Sequence, residues 1–183
     1  MKNKIIILLL TVVLPGMAYA SSCKIDMNNI IASTYDIADS GETSKLLIKQ
    51  DENENNYILR LDSNCKETIL NKSDDNPISI FYFSDCREIF GTLWTSGVAL
   101  IFRVYSNKTG KMIFEEYSKT PPSVFWVDDI KYPIFYVYNC NSCDNSRSGF
   151  YVMGKNKLYK KATSKEYNMI KEKIAKQLVN SNN

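Results

Sequence analysis

The chain has 183 residues, with 23 Lys and Arg against 20 Asp and Glu, five cysteines, seven glycines and no histidine. Without histidine there is no Ser-His-Asp triad, no Cys–His nucleophile pair and no imidazole metal ligand. The commonest general base near neutral pH is missing as well. Nor does the chain hold a phosphate-binding glycine loop, a dinucleotide glycine fingerprint or a G-x-S-x-G elbow.

Residues 1–20 read as an address. Lys2 and Lys4 precede an apolar run over 5–14, Pro15 and Gly16 break it, and Ala18, Tyr19 and Ala20 suit a cleavage site. This is the pattern of a secretory signal peptide; a membrane span needs about 20 apolar residues. The expected product is one β-rich domain, residues 21–183, in the periplasm or secreted. Lys2 and Lys4 leave with the leader, so 21 cationic residues face 20 acidic ones, a net of +1. That balance calls for neither nucleic acid nor an anionic membrane, and no second apolar run could span a bilayer. Lipidation at Cys23 stays open, although the Leu expected three positions before a lipidated cysteine is missing.

In chain order, residues 21–41 are poorly patterned apart from an apolar island at 30–32 and a turn at 39–41. Strands are predicted at 44–50 and 57–62, the second with Tyr57, Leu59 and Leu61 on one face and Arg60 and Asp62 on the other. A short strand at 68–70 precedes a polar loop at 71–77. Further strands follow at 78–83, 88–94, 98–105 and 111–115, with a hairpin turn at 106–110. After Pro121 and Pro122 come 124–127 and then the stretch 133–153. There two arms rich in β-branched and aromatic residues flank a polar turn holding Cys140 and Cys143. A last short strand lies at 158–159.

Residues 58–64 resemble residues 101–107, and each is followed by a turn and a short apolar return. A period of about 40–45 residues suits a four-stranded propeller blade, but the chain is too short for the roughly four blades of a closed ring. Chance likeness of two hairpins is the plainer reading. The expected fold is mainly β: an antiparallel sheet or sandwich, or incomplete propeller-like hairpin repeats, with one C-terminal α-helix at 164–179. Thr163 and Glu166 form a capping box, and Tyr167, Ile170, Ile174 and Leu178 make an apolar stripe.

Five cysteines are odd in number. The preferred bridges are Cys140–Cys143 across the turn and Cys65–Cys86 across a loop, with Cys23 unpaired. A bridge from Cys23 to Cys65 or Cys86 stays open, because sequence does not fix connectivity. A redox Cys-x-x-Cys should open a helix, whereas Cys143 is followed by a polar loop and a strand. Four thiols could also bind zinc, but export favours oxidation, so no metal or cofactor is expected.

Asp128 and Asp129, beside Trp126, are the best carboxylate pair. Neighbours on a strand point apart, so they could cooperate only in a turn. With Tyr132 and Trp126 they are the expected interaction residues, in an aromatic patch of the kind protein interfaces use. The expected function is an exported binding protein without catalysis, an inhibitor or immunity-type protein facing a toxin or cell-wall enzyme. One alternative is a small secreted enzyme, either a carboxylate hydrolase at Asp128/Asp129 or a thiol oxidoreductase at Cys140/Cys143. The other is an adhesin or surface-structure subunit, although such subunits usually end in an exchanged strand rather than a helix.

Overall fold

The computed structural model describes residues 29–37, 43–62, 64–83, 86–138 and 148–181. Twelve strands form three four-stranded antiparallel sheets in chain order. The first holds β1 (Ile30–Ile37), β2 (Thr43–Gln50), β3 (Asn56–Leu61) and β4 (Glu67–Ser73). The second holds β5 (Asn76–Phe83), β6 (Cys86–Thr95), β7 (Leu100–Ser106) and β8 (Met112–Ser118). The third holds β9 (Ser123–Phe125), β10 (Ile134–Val137), β11 (Gly149–Met153) and β12 (Tyr159–Lys161). Each is a simple meander, every strand pairing with its neighbours in sequence. Successive sheets open at Ile30, Asn76 and Ser123, a spacing of 46 to 47 residues.

The sheets stack face against face. Leu46, Ile48 and Ile58 of the first meet Ile80, Phe90, Trp94, Ile101 and Tyr105 of the second. The other face of the second sheet, including Leu93, Phe102, Val104 and Phe114, meets Phe135, Val137, Tyr151 and Tyr159 of the third. Burial on both faces explains why β7 reads as an almost unbroken apolar run. The helix α1 (Ser164–Ser181) closes the stack. Ile170, fully buried, packs with Val127, Ile134 and Phe150, while Tyr167 and Ile174 flank it. Leu178, the last member of the predicted stripe, is 40% exposed.

The capping box forms as the sequence predicts. The Thr163 N–H donates to Glu166 Oε2 at 2.8 Å, and the Glu166 N–H donates to Thr163 Oγ1 at 3.3 Å. These bonds, led by the Thr163 backbone N–H, hold the Glu166 carboxyl at about 2, below its ordinary value.

Four findings go beyond or against the sequence reading. The echo between residues 58–64 and 101–107 relates β3 to β7, the third strands of successive sheets, so it follows the repeat rather than chance. The unpatterned segment after the apolar island is a full strand, β1, paired with β2. The polar loop predicted at 71–77 shrinks to two residues, Asp74 and Asp75, between β4 and β5. The expected Cys65–Cys86 bridge does not form. Cys86 is a free thiol at the start of β6, turned into the core between the second and third sheets. Cys65 sits in the β3–β4 turn with φ 67° and is disulfide-bonded, its partner lying outside the described residues. Cys23, Cys140 and Cys143 all lie outside them, so the Cys140–Cys143 pairing does too.

Candidate functional site: a cleft between two outer strands

Among the described residues β8 ends the second sheet and β12 ends the third, each pairing with one strand of its own sheet. Between them lies a cleft of about 550 Å³, lined by residues 112–116 of β8, Tyr151 of β11 and residues 158–161 at β12. Phe114 is one of the lining residues, with ring centroids 5.0 Å from Tyr151 and 5.5 Å from Tyr159. The floor is fixed by polar bonds at its edges. The Tyr159 hydroxyl donates to the Pro133 carbonyl at 3.0 Å, and burial pushes the Tyr159 phenol well above its ordinary value. The Tyr151 hydroxyl donates to Glu116 Oε2 at 2.9 Å.

The charged side chains on the walls are largely engaged. Arg103 Nε donates to Glu115 Oε2 at 2.6 Å, and Lys160 pairs with Glu166 at 2.9 Å. Gly149 lets the Lys161 stem lie close, since a Cβ there would sit 3.2 Å from Lys161 Cε. Met112 and Leu158 stand on the rim, 39% and 37% exposed. The cleft therefore has two apolar rim residues, a floor of core aromatics that are 4% to 8% exposed, and an edge of β8 on which no other described strand pairs. Such an edge invites an added strand.

The residues singled out from the sequence lie on the β9–β10 connection. Trp126 is half-buried against the core between the second and third sheets, as is Tyr132. Asp128 and Asp129 do occupy a turn, with Asp129 at φ 66°. Lys173 of α1 reaches both, donating to the Asp128 carbonyl at 3.3 Å and lying 3.6 Å from Asp129 Oδ2. Tyr132 donates to Glu88 Oε2 at 2.6 Å, and Lys131 bonds the other carboxylate oxygen. The hydrogen bond from Lys131, then that from Tyr132, holds the Glu88 carboxyl below its ordinary range. These contacts brace the loop against β6 and the helix. Among the described residues no three Cys, Asp or Glu side chains are grouped to hold a metal ion.

The cleft was not read from the sequence. A usable signal existed, because a strand with Lys111 before it and Glu115 and Glu116 within it has the charge expected at a sheet edge. Glu88 was missed because it lies 43 and 44 residues from its partners.

No family model and no curated protein matches the chain. Among solved structures, the β-propeller domain of the Trilobed protease from Pyrococcus furiosus, described as having an open velcro topology, aligns at 11% identity with a TM-score of 0.42. The alignment covers 72% of this chain and 42% of that one. A likeness at that score decides nothing, and the architecture described above stands on strand pairing alone. No helix among the described residues is long and apolar enough to cross a membrane.

Proposed function

We propose that the chain is an exported binding protein that grips a protein partner, with an inhibitor or immunity-type role as the specific form of that reading. The observation that carries it is the cleft between β8 and β12. An extended segment of the partner lies along the free edge of β8 and hydrogen-bonds to its backbone. Apolar side chains at alternate positions drop onto Phe114 and Tyr159. The wall charges support this mode, because Glu115, Glu116 and Lys160 are already paired and leave backbone and aromatic surface as the contacts on offer.

The test uses the partner captured from a periplasmic extract with the full chain as bait. Met112→Asp and Leu158→Asp place charge on the rim at exposed positions, where folding changes by only about 0.5 kcal/mol. Together they should weaken binding at least tenfold. An unchanged affinity in the doubly substituted protein would contradict the reading, as would conversion of the partner into a chemically altered product.

A further inference from the structure

Charge is unevenly divided along the chain. Residues 21–118, which include the first two sheets, carry ten Lys and Arg against fifteen Asp and Glu. Residues 119–183, which include the third sheet and α1, carry eleven against five. The cleft between β8 and β12 lies where the acidic part meets the basic part. Its β12 side is the more strongly charged, because Lys155, Lys157, Lys160 and Lys161 fall within seven positions on the β11–β12 turn and β12.

One lysine stands apart from the other charged groups that line the cleft. Glu115 accepts from Arg103, Glu116 accepts from the Tyr151 hydroxyl, and Lys160 pairs with Glu166. Lys161 is exposed and enters no ion pair or side-chain hydrogen bond among the described residues. Its placement is nonetheless defined. Alternation along β12 puts it on the same side as Tyr159, the side turned toward the second sheet. It lies opposite Tyr151 in the β11–β12 ladder, and Gly149 makes room for its stem. Since Tyr151 also bonds Glu116, the Lys161 ammonium stands at the Glu116 end of the cleft. Leu158, three residues earlier, marks the other end.

We propose that the partner segment seated in the cleft is acidic, with a side-chain carboxylate on Lys161 and apolar residues following at alternate positions toward Leu158. The proposal rests on the strand-addition reading and names the chemistry of the strand that is added. The second sheet is antiparallel throughout, so an added strand that continues it runs antiparallel to β8 and passes Glu116 before Met112. The carboxylate therefore precedes the apolar residues in the partner's sequence. Glu116 is the one opposing charge at that end. It already accepts from a hydroxyl, and a carboxylate held by Lys161 sits on the β12 side, away from it. A cationic residue at the same position would gain Glu116 but meet the four lysines of the β11–β12 hairpin, which is why the field selects an anion.

Amide chemical-shift titration of the full chain with three end-blocked peptides tests this. The probes are Thr-Glu-Thr-Val-Thr-Val-Thr and its counterparts with Gln or Lys in place of Glu. The Glu peptide is expected to bind about fivefold more tightly than the Gln peptide, and the Lys peptide most weakly. Shifts should centre on 112–118 and 158–161. Lys161→Gln should make the Glu and Gln peptides bind alike, and Lys161→Arg should keep the preference. Lys171→Gln removes the same charge from an exposed position of α1 outside the cleft and should also leave the preference in place. Equal binding of the Glu and Gln peptides, with shifts still on β8, would overturn the acidic partner and leave strand addition standing. A preference that survives Lys161→Gln would overturn the role of that residue. The absence of shifts at β8 with all three peptides would overturn both readings.

Discussion

The two interfaces on either side of the second sheet are built from different materials. Toward the third sheet the contact is aromatic. Phe135 lies with ring centroids 4.6 to 5.8 Å from Tyr159, Phe102, Phe83 and Phe114. Toward the first sheet the apolar contact is seamed with directional polar groups. Arg103 donates to Asp75 at 2.6 Å, to Ser73 at 2.9 Å and to Glu115 at 2.6 Å, and lies 5.5 Å from the Trp94 ring. Arg60 donates to Asn107 at 2.7 Å, and Trp94 Nε1 donates to Thr92 at 2.6 Å. Two residues, Asp74 and Asp75, link the first sheet to the second, and the polar seam gathers at that link. Its groups set the angle at which the chain crosses. Interlocking rings set the spacing where the chain crosses more loosely.

The sharpest break of this contrast is Phe135→Ala. The side chain is fully buried, and its loss leaves a cavity among four rings. A destabilisation of about 3–5 kcal/mol is expected in urea unfolding. Arg103→Met should cost less, about 2 kcal/mol, because Asp75 and Glu115 are then left without their cation but remain partly solvated. Arg103→Lys should recover less than half of that, since an ammonium cannot fork to both carboxylates. If Arg103→Met proved the costlier of the two, the contrast would be reversed.

Alkali probes both interfaces at once. Burial pushes Tyr105, in the first interface, up to about 12, and pushes Tyr159, in the second, up as well. A folded-state value raised above the unfolded one gives stability that is complete below about pH 10 and is lost as pH rises through the folded value. Spectrophotometric titration at 295 nm should show both phenols resisting ionisation until the chain unfolds. The smallest effect belongs to the helix cap. Thr163→Ala should cost about 1 kcal/mol. Glu166 is held at about 2, so its contribution is present above about pH 4.3 and fades as pH falls through 2. Circular dichroism at 222 nm should show α1 weakening over that interval, and less so in the Thr163→Ala protein.

Elements whose signal is local were legible in the sequence. Alternation in 57–62 marks β3, the apolar run 98–105 marks β7, and the Thr163–Glu166 pair marks the start of α1. What was not legible depends on distance. The link at Asp74 and Asp75 has the composition of a hairpin turn, and nothing local tells a turn within a sheet from a passage between sheets. Arg103 declares its role only when Ser73 and Asp75, 30 and 28 residues away, come beside it. β1 lacks alternation because its side chains meet mixed surroundings, Ala32 facing the core and Ile31 standing 44% exposed. The site suffered most. The patch at 126–132 is visible in the sequence, but its links to Glu88, through Lys131 and Tyr132, and to Lys173, through the Asp128 carbonyl and Asp129, join residues 43 to 45 positions apart. A sheet edge is a property of strand order, which no short window of sequence contains.

Hydrogen exchange of the full chain with and without its captured partner tests the central claim most directly. Binding along the edge of β8 predicts slowed amide exchange across 112–118, with weaker protection at 158–161 and little change in β1 to β3. Protection confined to 126–132, or spread over the first sheet with β8 unchanged, would contradict it.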